Sequence, residues 1–204
     1  MAHQWRGVIT EYADRLPMLA GAPTVTLREG GTPLIPAEHL SELVGAQVHV
    51  KYEGLNPTGS FKDRGMTMAV TEAKAKRAKG QRIWCVPFAR TASGVEIKGN
   101  AKTWWNQAKG QYQRGKQPVV GSVIAFAATR KMPMGHVAVV SEVVSEREIR
   151  IDHANWNRNQ VSLKMAVIDV SSRGDWSAVR VESRPETFGS VYPVNGFIYP
   201  KAKG

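Results

Sequence analysis

Five runs rich in β-branched residues follow one another after Pro118: Val119 to Phe126, His136 to Val144, Ile149 to Asp152, Val161 to Val170 and Val179 to Glu182. Gly, Pro, Asn and Asp punctuate them, as turns between strands require. Two short helices are expected ahead of the runs. One follows Cys85, and the other covers Ala101 to Lys109, with Asn100 placed to cap its start and Gly110 to end it. Helices first and a mostly antiparallel sheet afterwards make an α+β layout.

The first 80 residues read differently. Trp5 to Leu16 predicts a short helix, Gly30-Gly31-Thr32-Pro33 a turn, Glu38 to Val44 a helix and Ala46 to Tyr52 a strand. Asn56 to Ser60 is loop sequence. Asp63 to Lys79 is rich in the helix formers Ala, Met and Lys, and Gly80 stands where a C-cap belongs. The pattern changes at about Lys79 to Arg82. We therefore expect two domains: an incomplete α/β fragment over 1–81 and a second domain over 82–204. The fragment has too few strands to cover a sheet, so it is expected to pack on the second domain or on another copy of the chain.

The charge follows the same division. Residues 1–81 hold 10 Lys and Arg against 8 Asp and Glu, whereas residues 82–204 hold 18 against 9. A basic domain favours polyanions. The cations are scattered, and no nucleic-acid recognition motif is present, so no specific nucleic-acid partner is expected. No apolar run reaches the roughly 18 to 20 residues that span a bilayer, so membrane insertion is not expected. The N-terminal residues carry no secretory pattern, which predicts a chain that is cytoplasmic as made. The single cysteine excludes an internal disulfide and a four-thiolate zinc site.

That cysteine has a distinctive setting. Cys85 precedes Val86 and Pro87, and proline favours the first turn of a helix. A thiol at a helix N-terminus meets unpaired N–H groups and a dipole that favours the thiolate. The same N–H groups can hold an oxyanion. The alternative for a lone cysteine is a small buried hydrophobe. His136 opens an apolar strand after Gly135, where it is either a base or a satisfied core residue. In Asp152-His153-Ala154-Asn155, His153 and Asn155 share one face and Asp152 faces the other. His153, with Asn155 as second choice or helper, is the candidate to orient the His136 ring.

Two resemblances sharpen these readings. Gly30-Gly31-Thr32-Pro33-Leu34 and the stretch from Lys51 through Ser60-Phe61-Lys62-Asp63-Arg64-Gly65 resemble threonine synthase, a pyridoxal-phosphate enzyme, over roughly residues 5–80. The resemblance implies that Lys62 matches the cofactor lysine. The family's later cofactor contacts are missing, so Lys62 is expected to be vestigial and no cofactor is called for. Cys85 to Arg90, Gly121-Ser122-Val123, Gly135 to Val140 and Asp152 to Trp156 resemble the CHAP family of cysteine- and histidine-dependent amidohydrolases and peptidases. That resemblance implies a papain-like fold, peptidoglycan as substrate and amide hydrolysis by Cys85 and His136. Where the family often carries Glu, this chain has His153, and Asn155 matches the family's Asn. Trp104 and Trp105 are candidates for the substrate groove or the core. The alternatives are a catalytically inactive recombined or engineered fusion and a pyridoxal-phosphate-binding protein using Lys62.

Overall fold

The computed structural model describes residues 3–16 and 23–201. The chain divides into two compact units, Met1–Glu72 and Ala73–Gly204.

The first unit contains α1 (Val8–Glu11), β1 (Leu34–Pro36), α2 (Glu38–Val44), β2 (His49–Lys51) and a 3-10 turn (Glu53–Leu55), and it includes the start of α3 (Asp63–Ala78). The helix expected over Trp5 to Leu16 is a single turn. Gly7 precedes it at φ 98°, where a Cβ would collide with the Thr26 hydroxyl. The chain there cannot be helical. The strand expected over Ala46 to Tyr52 contracts to three residues because its partner is equally short, pairing Leu34 with Lys51 and Pro36 with His49. Polar groups tie this unit together. The carboxylate of Glu29, fully buried, accepts bonds from the Val8 and Leu27 N–H groups and from the Thr26 and Thr67 hydroxyls at 2.9–3.1 Å. Arg64 binds Glu53 through two nitrogens, at 3.0 and 2.9 Å. That fork holds the Glu53 carboxyl down at about 2.

At the far end of α3, Gly80 is left-handed at φ 68°. Its N–H reaches the Arg77 carbonyl, and the Gln81 N–H reaches that of Lys76. This is a Schellman stop, as the sequence predicts.

The second unit contains α4 (Cys85–Ser93), α5 (Ala101–Gln107), β3 (Arg114–Gly115), β4 (Val123–Phe126), β5 (His136–Ser145), β6 (Glu148–Ala154), β7 (Val161–Asp169), β8 (Ala178–Arg184) and β9 (Thr187–Ile198). Helices precede an all-antiparallel sheet, so the α+β reading holds. The sheet closes on itself. Strands β4 to β8 pair in sequence, and β9 joins β8 back to β4, giving a six-stranded barrel with β3 as an extra partner of β9. Closure removes the open edges that a flat sheet would expose. Its last strand was not foreseen, because Gly189, Pro193 and Gly196 interrupt the apolar alternation of Thr187 to Ile198.

Alternation along the strands serves two layers. Ile124, Phe126, Ala138, Val140, Ile149 and Ile151 belong to one buried cluster. Their neighbours Val123, Ala125, Val137 and Val139, on the opposite faces of the same strands, are buried too. There α4 packs on β5 and β6, and α5 packs on β4. Strands buried on both faces read as continuous apolar runs, which is why β4 and β5 stood out in the sequence.

Candidate active site

Cys85 is the first residue of α4, and Gly94 closes that helix in the left-handed conformation. His136 is the first residue of β5. What delivers the ring to its place is the segment before it. The Met134 carbonyl accepts the Lys102 N–H of α5 at 2.8 Å. Gly135 lies so close that a Cβ would sit 2.8 Å from the same nitrogen. Only glycine permits this approach, and it ties the start of β5 to the first turn of α5. Asn100, expected to cap α5 with its side chain, makes no such bond. Its carbonyl instead receives the Thr103 N–H and hydroxyl.

Cys85 and His136 line the same cleft, of about 690 Å³. The Cys85 sulfur also faces the backbone N–H groups of Val137, Val86 and its own residue. Val137 directly follows His136 on β5. His136 Nε2 lies 3.0 Å from His153 Nδ1. His153 Nε2 in turn lies 3.3 Å from the Met165 sulfur. Trp156 encloses both rings: it stacks on His153 at 29° and meets His136 edge-on, with centroids 5.1 Å apart. Phe126 closes on His136 from another side.

This enclosure sets the electrostatics. Burial pushes the Cys85 thiol up, and the three backbone N–H groups only partly oppose it. The helix terminus was expected to leave a ready thiolate, but desolvation outweighs it. Burial also lowers His136 well below the ordinary imidazole range, helped by the neighbouring His153. Burial takes His153 to about 3. The resting site is therefore a neutral thiol and two neutral imidazoles.

The remaining candidates lie elsewhere or do other work. Asn155 borders the cleft, at φ 63°. Its Oδ1 accepts the Asn159 N–H at 2.8 Å, which folds the turn after β6. Asp152 faces away from the rings and accepts the Lys164 N–H at 2.6 Å. Neither Trp104 nor Trp105 borders the cleft. Trp104 is fully buried, and Trp105 lies under the Arg114 guanidinium. The aromatic walls are Trp84, Trp156 and Tyr192. Tyr192 lies on the unforeseen β9, so no local pattern pointed to it.

Lys62 belongs to the first unit, half-buried just before α3, its ammonium 4.5 Å over the Phe61 ring. The polar residues around it hold the loop. Asp63 binds the N–H and hydroxyl of Thr58, and Asn56 accepts the Gly30 N–H.

A cysteine opening a helix and a histidine opening a strand of an antiparallel sheet thus line one cleft of an α+β domain. Residues 77–155 match the CHAP domain, and residues 25–92 match the pyridoxal-phosphate dependent enzymes. The chain is 51% identical over 96 residues to threonine synthase of Halalkalibacterium halodurans, covering 47% of this chain and 27% of that protein. Over 95 residues it is 58% identical to the Mycobacterium leprae enzyme, covering 46% and 26% respectively. The chain thus spans about a quarter of the length of the curated relatives it matches. It joins segments similar to two different families.

The residues around Lys62 do not fit pyridoxal phosphate. The cofactor needs a phosphate cradle and a partner for its ring nitrogen. Leu55 and Phe61 beside the lysine are 61% and 54% exposed, and every residue of β1 and β2 faces solvent. Nothing among the described residues of this unit encloses a ring there.

Proposed function

We propose that the second unit is a cysteine-nucleophile hydrolase, papain-like in arrangement, that cleaves amide bonds of peptidoglycan. The observation that carries this reading is the shared cleft of Cys85 and His136, with His136 backed by His153 at 3.0 Å. In this mechanism His136 takes the thiol proton as the sulfur attacks the amide carbonyl. The N–H groups at the start of α4 receive the oxyanion. His136 then gives its proton to the departing amine, leaving a thioester on Cys85. Water, deprotonated by the same ring, releases the acyl group. Because both partners rest neutral, the thiol proton has to pass to His136 before the thioester can form.

The substrate class follows from the similarity to the CHAP domain and from the basic charge of residues 82–204. An anionic wall polymer suits a cationic domain. The bond is either the muramoyl–L-alanine link or a peptide cross-bridge. Among the described residues no helix is long and apolar enough to cross a membrane. We place the domains at 1–81 and 82–204, and the exposed apolar residues of the first unit make it a candidate for self-association.

The test is clearance of a peptidoglycan suspension. Cys85→Ala should abolish turbidity loss while its circular dichroism matches that of the parent. Clearance that persists in the variant would defeat the assignment.

A further inference from the structure

We propose that Met165 is a positioning residue of this site: its thioether sets the tautomer of both imidazoles and so leaves His136 able to act as a base. The inference rests on the hydrolase reading and adds to it the residue that keeps the base switched on.

A thioether sulfur has lone pairs and no proton to give. The 3.3 Å contact between His153 Nε2 and the Met165 sulfur is therefore a bond only if that nitrogen carries hydrogen. A neutral imidazole has one such proton, so His153 Nδ1 is left with its lone pair. The 3.0 Å contact to His136 Nε2 must then be donated by His136. His136 in turn keeps an unprotonated Nδ1, the one ring nitrogen left for the cleft. Each step follows from proton counting along one line: sulfur, ring, ring. The opposite tautomer would set the His153 Nε2 lone pair against those of sulfur. It would also give His136 an N–H at Nδ1, which cannot accept a thiol proton. Both rings rest neutral by burial, so the counting applies to the resting site.

The backbone is shaped for this contact. Ile151 pairs with Met165, so a regular ladder would set His153 opposite Leu163. It pairs with Ser162 instead. The extra residue bulges β7 at Lys164, which has φ 52°. The buried Asp152 carboxylate pins the bulge by accepting the Lys164 N–H. Bulges commonly re-aim a side chain beside a functional site. Met165, paired with Ile151, stands diagonal to His153, a spacing that long side chains bridge.

The experiment uses the full chain with 15N-labelled histidine. Multiple-bond proton–nitrogen spectra at neutral pH, without substrate, report which ring nitrogens carry hydrogen. The parent should show both rings protonated at Nε2. Met165→Leu keeps the bulk and removes the acceptor; it should populate the Nδ1–H form on both rings. Its kcat for amide hydrolysis should fall by about tenfold or more with KM unchanged, since a wrong tautomer disables the base. Met165→Glu restores an oxygen that only accepts; it should return the Nε2–H form and most of the rate. A parent protonated at His153 Nδ1 overturns the proposal, as does a Leu variant with unaltered tautomers. If the tautomers respond as described and the parent hydrolyses no peptidoglycan, the hydrolase reading fails while the role of Met165 stands.

Discussion

The two units are held by different forces. In the first, the largest fully buried side chain is a carboxylate: Glu29, with four donors around it. Its apolar residues face outward, Leu43 at 75%, Leu55 at 61% and Leu34 at 60% exposure. In the second, the largest fully buried side chains are Trp104, Trp176, Phe126, Phe197 and the isoleucines of the barrel. A polar hub fixes the path of a chain but adds little net stability, because each bond replaces one to water. A closed barrel removes apolar surface from water and has no unpaired edge. Hence the first unit leaves its short sheet uncovered, while the second has a core of its own.

The largest break in this contrast should come from Ile151→Ala, which empties a fully buried position of the barrel. The loss should be about 2–5 kcal/mol, the range for truncating a core isoleucine. Urea unfolding followed by tryptophan fluorescence measures it, since every tryptophan but Trp5 lies in the second unit. A loss below about 1 kcal/mol would mean that the barrel is not the stabilising core.

Acid should weaken the second unit next. The folded His136 and His153 rings resist protonation, His153 until about 3, whereas unfolded rings take protons from about pH 6.5 downward. Their contribution is therefore complete above about pH 6.5 and is lost as the pH falls below it, for His153 until about 3. The slope should be about 1.4 kcal/mol per pH unit for each ring. His153→Gln should flatten that slope by one ring's share in unfolding curves taken between pH 7 and 5. An unchanged slope would contradict a neutral buried His153.

Smaller again is Glu29→Gln. It turns one acceptor oxygen into a donor facing donors, at a cost of about 1–3 kcal/mol. Amide exchange at Val8 and Leu27 should accelerate while exchange in β5 and β6 stays unchanged. Acceleration in both units alike would show that the hub is not local to the first.

Much of this architecture was legible in the sequence. The helix opened by Cys85 is marked by Pro87, the strand opened by His136 by continuous apolar residues, and the stop of α3 by Gly80. These signals are local: a turn residue, a period or a cap. Barrel closure was not legible, because β9 pairs with strands on either side of it and carries two glycines and a proline. Met165 was hidden for a related reason. Its approach to His153 depends on which residue of β6 it pairs with, and no periodicity within one strand records a cross-strand register. The balance at Cys85 misled in a third way: Pro87 and the helix start are visible in the chain, whereas burial outweighs them, in a cleft whose walls include Trp156 and Tyr192, far along it.

The account turns on one covalent bond. Full-length protein mixed with muropeptides and quenched in acid within its first turnovers should carry an acyl group on the tryptic peptide containing Cys85, removable by hydroxylamine as a thioester is. Cleaved product that accumulates while Cys85 stays unmodified, or an adduct that survives in Cys85→Ala, would contradict it.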